Sequence, residues 1–82
     1  MKYTTYVLQS LYNNKMYIGQ TMNLEKRFIL HNTGKVKSTK SYLPWRIIFS
    51  FAFDSRSMAM ELEKKLKNLK SKDRLLAYIK KL

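Results

Sequence analysis

No cysteine occurs in the sequence, so disulfides and thiolate zinc sites are excluded and redox compartment leaves no mark. A single histidine excludes a multi-histidine metal cage. Proline occurs once and glycine twice, which is too little for a flexible linker or a low-complexity tract. No stretch approaches the roughly 18 consecutive apolar residues of a membrane span. The start, Met1-Lys2-Tyr3-Thr4-Thr5-Tyr6, is polar and β-prone, without the apolar run and small-residue cleavage site of a secretory signal. Acids are scarce as well. Five Asp and Glu stand against seventeen Lys and Arg, giving a formal charge of +12 and a sequence pI near 10.1.

That imbalance is the strongest compositional feature. Self-repulsion of this size destabilises a compact chain, and a polyanionic partner relieves it. The basic residues spread over the whole chain instead of following one amphipathic helix, so nucleic acid is the expected partner and an anionic membrane surface is not. With 45% apolar residues in 82, the chain has material for one modest core, and a single domain over residues 1–82 in the cytoplasm is expected.

Two runs rich in Tyr, Val, Ile and Thr, residues 4–10 and 16–20, read as strands. Asn13-Asn14 between them supplies turn chemistry, so the pair reads as a β-hairpin. Asn23 is a good N-cap and Gly34 a good C′ residue, which sets a first helix over 24–32. Residues 33–44 are polar and basic and read as a loop ending at Pro44. The aromatic and β-branched run 45–53 reads as a third strand. Ala59, Leu62, Leu66 and Leu69 recur at helical spacing and predict a helix over about 57–70. Ser71 then caps a last helix carrying Leu75, Leu76, Ile79 and Leu82. The order is ββαβαα, an α/β (α+β) fold with a three-stranded antiparallel sheet flanked by helices.

Few residues are equipped for chemistry. At about 100° per residue, Arg27 and His31 fall on one stripe of the first helix, beside core-facing Leu24. A cation and an imidazole there point into whatever cleft that face borders. Spacing alone favours the plainer reading, a solvated arginine and a histidine favoured by the helix dipole. Tyr6 and Tyr17 can meet on one face of the hairpin, although strand tyrosines also serve as plain packing. A metal-binding carboxylate must come from Glu25, Asp54, Glu61, Glu63 or Asp73. Glu61 and Glu63 flank the apolar stripe of the second helix, and each has a lysine four residues on, Lys65 and Lys67, as an ion-pair partner. Helical geometry does not choose between them.

Tyr17-Ile18-Gly19 within Lys15-Met16-Tyr17-Ile18-Gly19-Gln20-Thr21, then Leu24-Glu25-Lys26-Arg27 and His31-Asn32-Thr33-Gly34, resemble the GIY-YIG nuclease superfamily. The likeness is greatest to its short stand-alone endonucleases related to the amino-terminal domain of the excision-repair nuclease, which points to DNA repair. It continues through Pro44-Trp45, the aromatic third strand, and the segment from Arg56 to Lys67, and so covers nearly the whole chain in order. The first tripeptide, Gly-Ile-Tyr in the family, is Thr4-Thr5-Tyr6 here and keeps only its tyrosine. Gln20 stands where some relatives have lysine, and Asn68 has no secure counterpart.

The resemblance implies a metal-dependent endonuclease that hydrolyses nucleic-acid phosphodiester bonds, DNA in the first place. It places the catalytic positions on Tyr6, Tyr17, Arg27, His31 and Glu63. By its offset from Arg56-Ser57 and Ala59-Met60, Glu63 rather than Glu61 takes the metal position, for Mg²⁺ or Mn²⁺. One carboxylate with waters and a phosphate oxygen is an ordinary Mg²⁺ shell. Arg27 would hold charge developing on the phosphoryl oxygens. Tyr6 is the first choice of base, with Tyr17 and His31 assisting and His31 a competitor. Gly19 would let the strand end approach the phosphate backbone or the helix start. Lys35, Lys37, Lys40, Lys64, Lys67 and Lys70 are the expected nucleic-acid contacts. Larger members take specificity from attached domains, so a protein partner is expected to supply it here. From a different class, a non-catalytic nucleic-acid-binding domain on the same scaffold is the alternative.

Overall fold

The computed structural model describes residues 2–82. The hairpin strands are β1 (Tyr3–Ser10) and β2 (Met16–Thr21), followed by α1 (Leu24–Asn32). A short 3-10 turn, Lys40–Tyr42, leads into β3 (Trp45–Phe53), and α2 (Arg56–Lys67) and α3 (Lys72–Lys80) complete the chain. The antiparallel sheet has the order β2-β1-β3. The expected ββαβαα order is therefore present.

The ends of the elements follow from their side chains. Asn23 Oδ1 accepts the Lys26 amide at 3.0 Å at the start of α1. Ser55 and Ser71 Oγ accept the amides of Met58 and Arg74 at the starts of α2 and α3. Each satisfies a donor that has no partner within its helix. Gly34, at φ +76°, takes the left-handed turn after α1 that a residue with a Cβ resists.

β1 is central and covered on both sides, so residues 5–8 are buried without alternation. Its pleat nevertheless sorts them into two cores. Tyr6 and Leu8 join Trp45 beneath Leu24 and Phe28 of α1. Val7 joins Leu66 and Leu75 beneath α2 and α3. The sheet is the middle layer, with α1 and the 3-10 turn on one face and α2 and α3 on the other.

Two expected spans differ. The leucine spacing suggested a second helix to Lys70, but α2 ends at Lys67. Lys70 is left-handed (φ +55°) and Ser71 is extended, and this break turns the chain so that Leu69 and Ile79 reach the same core. The segment 33–44 is not a solvated loop throughout, because Thr39 is completely buried within it.

Ser10 ties the hairpin end to that segment. Its buried hydroxyl donates to the Tyr42 carbonyl at 2.7 Å and accepts the amides of Tyr12 and Asn13 at 3.1 and 3.2 Å. Ser10→Ala would strip three partners of their bond, and is expected to destabilise the fold by about 1–3 kcal/mol, read by urea unfolding.

Candidate active site

Tyr6 on β1 lies directly opposite Gly19 on β2. A Cβ built on Gly19 would stand 2.7 Å from the Tyr6 hydroxyl oxygen and 2.9 Å from Cζ. The phenol therefore crosses from its own strand over its neighbour, into space that only glycine leaves open. Gly19 was expected to admit the phosphate backbone or the helix start; what occupies the space is the Tyr6 ring. Tyr17, two residues before Gly19 on the same face, brings its ring centroid to 6.3 Å from that of Tyr6.

α1 supplies the other wall. Its His31 is fully buried, with its ring 4.8 Å from Tyr17 between centroids. Its Nε2 is 2.9 Å from the Tyr6 hydroxyl and its Nδ1 is 2.9 Å from Thr39 Oγ1. The Thr39 hydroxyl donates its hydrogen to the Val36 carbonyl at 3.3 Å, so it accepts from Nδ1–H. That assigns the Nδ1–H tautomer from the network, leaving Nε2 as acceptor for the Tyr6 hydroxyl. Thr39 is held in turn. Its carbonyl accepts the Trp45 indole N–H at 3.0 Å, and Asn32 bonds the Trp45 backbone through both ends of its amide, at 2.7 and 3.1 Å.

Arg27, one turn before His31, is half-buried. Its Nε is sealed from solvent without a protein acceptor, and among the described residues no carboxylate pairs with it. Its guanidinium lies beside the Tyr6 phenol without a well-aligned bond to it, and acts on that group electrostatically.

Burial pushes the Tyr6 pKa above its usual value; Arg27 opposes the rise, and the neighbouring Tyr17 and Glu63 add to it. Burial, with the positive charge of Arg27, lowers the His31 pKa. The imidazole is therefore neutral at physiological pH, not the protonated helix-end histidine that spacing alone also allowed.

Glu63 is near enough for its charge to act on Tyr6 but is not bonded to these four. It is carried by α2 on the other helical layer, and among the described residues no hydrogen bond joins it to Tyr6, Tyr17, Arg27 or His31. Its carboxylate accepts from Lys67 Nζ at 2.9 Å. Glu63 and Glu61 both line a surface groove of about 570 Å³ with Lys64, Lys67 and Asn68. No group of three or more His, Cys, Asp or Glu converges among the described residues. A carboxylate-rich or imidazole-rich metal centre is thus not built here, whereas a single carboxylate in an open groove suits Mg²⁺ or Mn²⁺, which keeps most of its waters. Lys35, Lys37, Lys40, Lys64 and Lys70 are all exposed, as is Lys67 despite its ion pair.

Thr39 and Asn32 position the cluster without having stood out in the sequence. Asn32 was visible only as part of a motif, and a threonine eight residues beyond the histidine carries no periodic signal.

Two expectations follow. Gly19→Ala should displace the Tyr6 ring, destabilise the fold by about 1–3 kcal/mol through overpacking, and shift the Tyr6 and His31 ring resonances. Secondly, His31 has a lower pKa folded than unfolded, so the unfolded chain binds the extra proton. Stability should fall as pH drops below the unfolded value of about 6.5 and level off below the folded value. Urea unfolding of wild type and His31→Gln between pH 7 and 5 checks this, with the variant losing that part of the slope.

A family model described as the GIY-YIG catalytic domain matches residues 2–76. A UPF0213 protein of Streptococcus pyogenes serotype M3 is 39% identical over 75 residues, covering 90% of this chain and 80% of its own. The UPF0213 protein YsiG of Lactococcus lactis is 43% identical over 63 residues, 76% of this chain and 60% of its own. The solution NMR structure of a UPF0213 protein from Bacillus halodurans matches the fold with a TM-score of 0.62 and 28% identity, covering 98% of this chain and 84% of the other. With a match across most of its length, and with relatives this similar, the chain belongs to the GIY-YIG catalytic domain family.

Proposed function

We propose that the protein is a metal-dependent endonuclease that hydrolyses phosphodiester bonds, with DNA as its substrate. The hydrogen-bonded run Tyr6–His31–Thr39, set beside a guanidinium that no carboxylate neutralises, carries this reading. An uncompensated, partly desolvated cation attracts an anion, and a phosphate brings the negative charge that Arg27 lacks.

The direction of the Tyr6 shift and the free Nε2 of His31 support one division of the proton-transfer roles. A phenol with a pKa near 10, raised further by burial, is almost wholly protonated at neutral pH. Tyr6 therefore works as a conduit and His31 as the acceptor. Tyr17 is half-buried and Tyr6 buried, so water would approach from the Tyr17 side. As the water oxygen attacks phosphorus, its proton passes to the Tyr6 oxygen and the Tyr6 proton passes to His31 Nε2. The phosphorus–oxygen bond to the leaving group breaks, and Arg27 holds the charge gathered on the phosphoryl oxygens. Thr39 keeps Nδ1 protonated and so keeps Nε2 free. Mg²⁺ or Mn²⁺ held by Glu63 would polarise the scissile phosphate. The exposed lysines, Lys35, Lys37, Lys40, Lys64, Lys67 and Lys70, add non-specific attraction to the backbone.

No helix among the described residues is long and apolar enough to cross a membrane. In this reading the chain acts as one cytoplasmic domain in DNA repair, with substrate choice supplied by a protein partner. The Lys67–Glu63 ion pair favours a second reading, a non-catalytic nucleic-acid-binding domain whose metal position is filled by its own lysine.

Cleavage of single-stranded, nicked, flapped and duplex DNA with Mg²⁺ or Mn²⁺ separates the two. Glu63→Gln should abolish cleavage and leave affinity intact or slightly raised, since it removes a negative charge facing a polyanion. Arg27→Ala should lose cleavage and some affinity together. Tyr6→Phe should slow cleavage by about 10²–10⁴-fold. Equal cleavage by wild type and Glu63→Gln would exclude Glu63 as the metal ligand, with Glu61→Gln as the control. Binding by wild type without cleavage would leave the second reading.

A further inference from the structure

A second groove, of about 300 Å³, lies between β2 and the α2–α3 turn. Lys15, Lys67, Lys70 and Lys72 surround it, over a floor that includes half-buried Met16 and Ile18, and among the described residues no carboxylate lines it. Asn13 of the hairpin turn is part of its wall. Beside Asn13 the turn projects Tyr12, 74% exposed, and Leu11, 59% exposed.

Local folding preferences do not explain these residues. Lys70 holds a left-handed backbone, where glycine or asparagine would be less strained. Lys72 occupies the first turn of α3, where the helix dipole disfavours a cation. Departures from local preference that gather in one place mark a functional surface. The exposed tip is rigid. Ser10 Oγ accepts the Tyr12 amide, the Leu11 amide bonds the Pro44 carbonyl at 2.8 Å, and Asn13 Oδ1 accepts the Lys15 amide at 3.1 Å. The Lys15 ammonium rests on Tyr42 at the rim, its Nζ 3.2 Å from the hydroxyl oxygen and 4.4 Å from that ring's centroid. An exposed aromatic ring on a backbone already fixed leaves only its own rotamers to be ordered on stacking.

We propose that this groove and the Tyr12 tip bind a single strand of nucleic acid, with the lysines on its phosphates and the apolar floor and Tyr12 ring against unpaired bases. An apolar floor rimmed by cations fits a base or sugar between phosphates; a duplex keeps its base faces stacked inside and cannot offer them. Lys67 lines both this groove and the neighbouring groove that holds Glu63. The proposal rests on the nucleic-acid reading given above, and adds to it where a strand lies and in what form.

Fluorescence anisotropy with labelled oligothymidylate, oligouridylate and a hairpin duplex, in EDTA so that nothing is cut, tests it. Tyr12→Ala should weaken single-strand binding about fivefold or more, with little change for the duplex. Lys15→Gln combined with Lys72→Gln should reduce the slope of log affinity against log salt by about 0.7 for each lost contact. All three positions are exposed, and amide spectra confirm that the variants fold. Equal loss for oligothymidylate and oligouridylate supports a groove that reads the strand and not the sugar; loss for one alone supports the groove and names its strand. Unchanged affinity and slope, or a duplex bound as tightly as either single strand, would overturn the proposal. Because no cleavage is measured, a failure here leaves the nuclease reading standing, and an inactive but binding wild type leaves the groove standing.

Discussion

The Tyr6 phenol reaches His31 only because the residue across the sheet has no side chain. Any Cβ at Gly19 would fall within 3 Å of the Tyr6 hydroxyl oxygen and Cζ, and ordinary packing does not tolerate such an approach. Crossing β2 puts the phenol against α1, where burial gives the Tyr6–His31 bond its character. Both pKa shifts favour neutral partners, so the pair is a neutral hydrogen bond and not an ion pair. The chain beyond α1 is folded inward by the same network, since Nδ1 of that histidine requires Thr39, and Thr39 requires Trp45.

Placing β1 in the centre of the sheet makes this geometry affordable. Val7 on its opposite face is locked among Leu66 and Leu75, so the strand that carries Tyr6 cannot drift. The site face can then hold, beside its own apolar cluster, polar atoms and a cation that no carboxylate pairs among the described residues. The division also explains where Glu63 sits. α2 belongs to the stabilising layer, so its carboxylate acts on Tyr6 through space and not through contact.

The charge has a similar division of labour. Of 17 lysines and arginines, Arg27 alone is half-buried, beside the Tyr6–His31 bond, while the lysines of the loop and of α2 stay in solvent. Exposed cations act at long range and are screened by salt; a partly desolvated one acts at short range and is not. The exposed lysines and the half-buried Arg27 therefore differ in the range over which their charge acts.

By itself the sequence determined the elements, because their signals are local. Asn23 and Ser71 set helix starts through their own side chains, Gly34 sets a stop through its backbone, and the aromatic run 45–53 is strand for its whole length. It also carried the ordered motif that marks the family, and with it the candidate positions Tyr6, Tyr17, Arg27, His31 and Glu63. Only the tertiary structure decided which face each helix covers, because an apolar stripe does not record what lies opposite it. It decided that His31 is buried and neutral, since helical spacing puts a residue on a stripe without saying how much water remains there. Thr39 could not be found beforehand: its role depends on a contact eight residues away in an irregular segment, where no period links sequence position to place. The lysine groove was hidden for the same reason. Lys15 lies far along the chain from Lys67, Lys70 and Lys72, and only the packing of the hairpin against the α2–α3 turn brings them together.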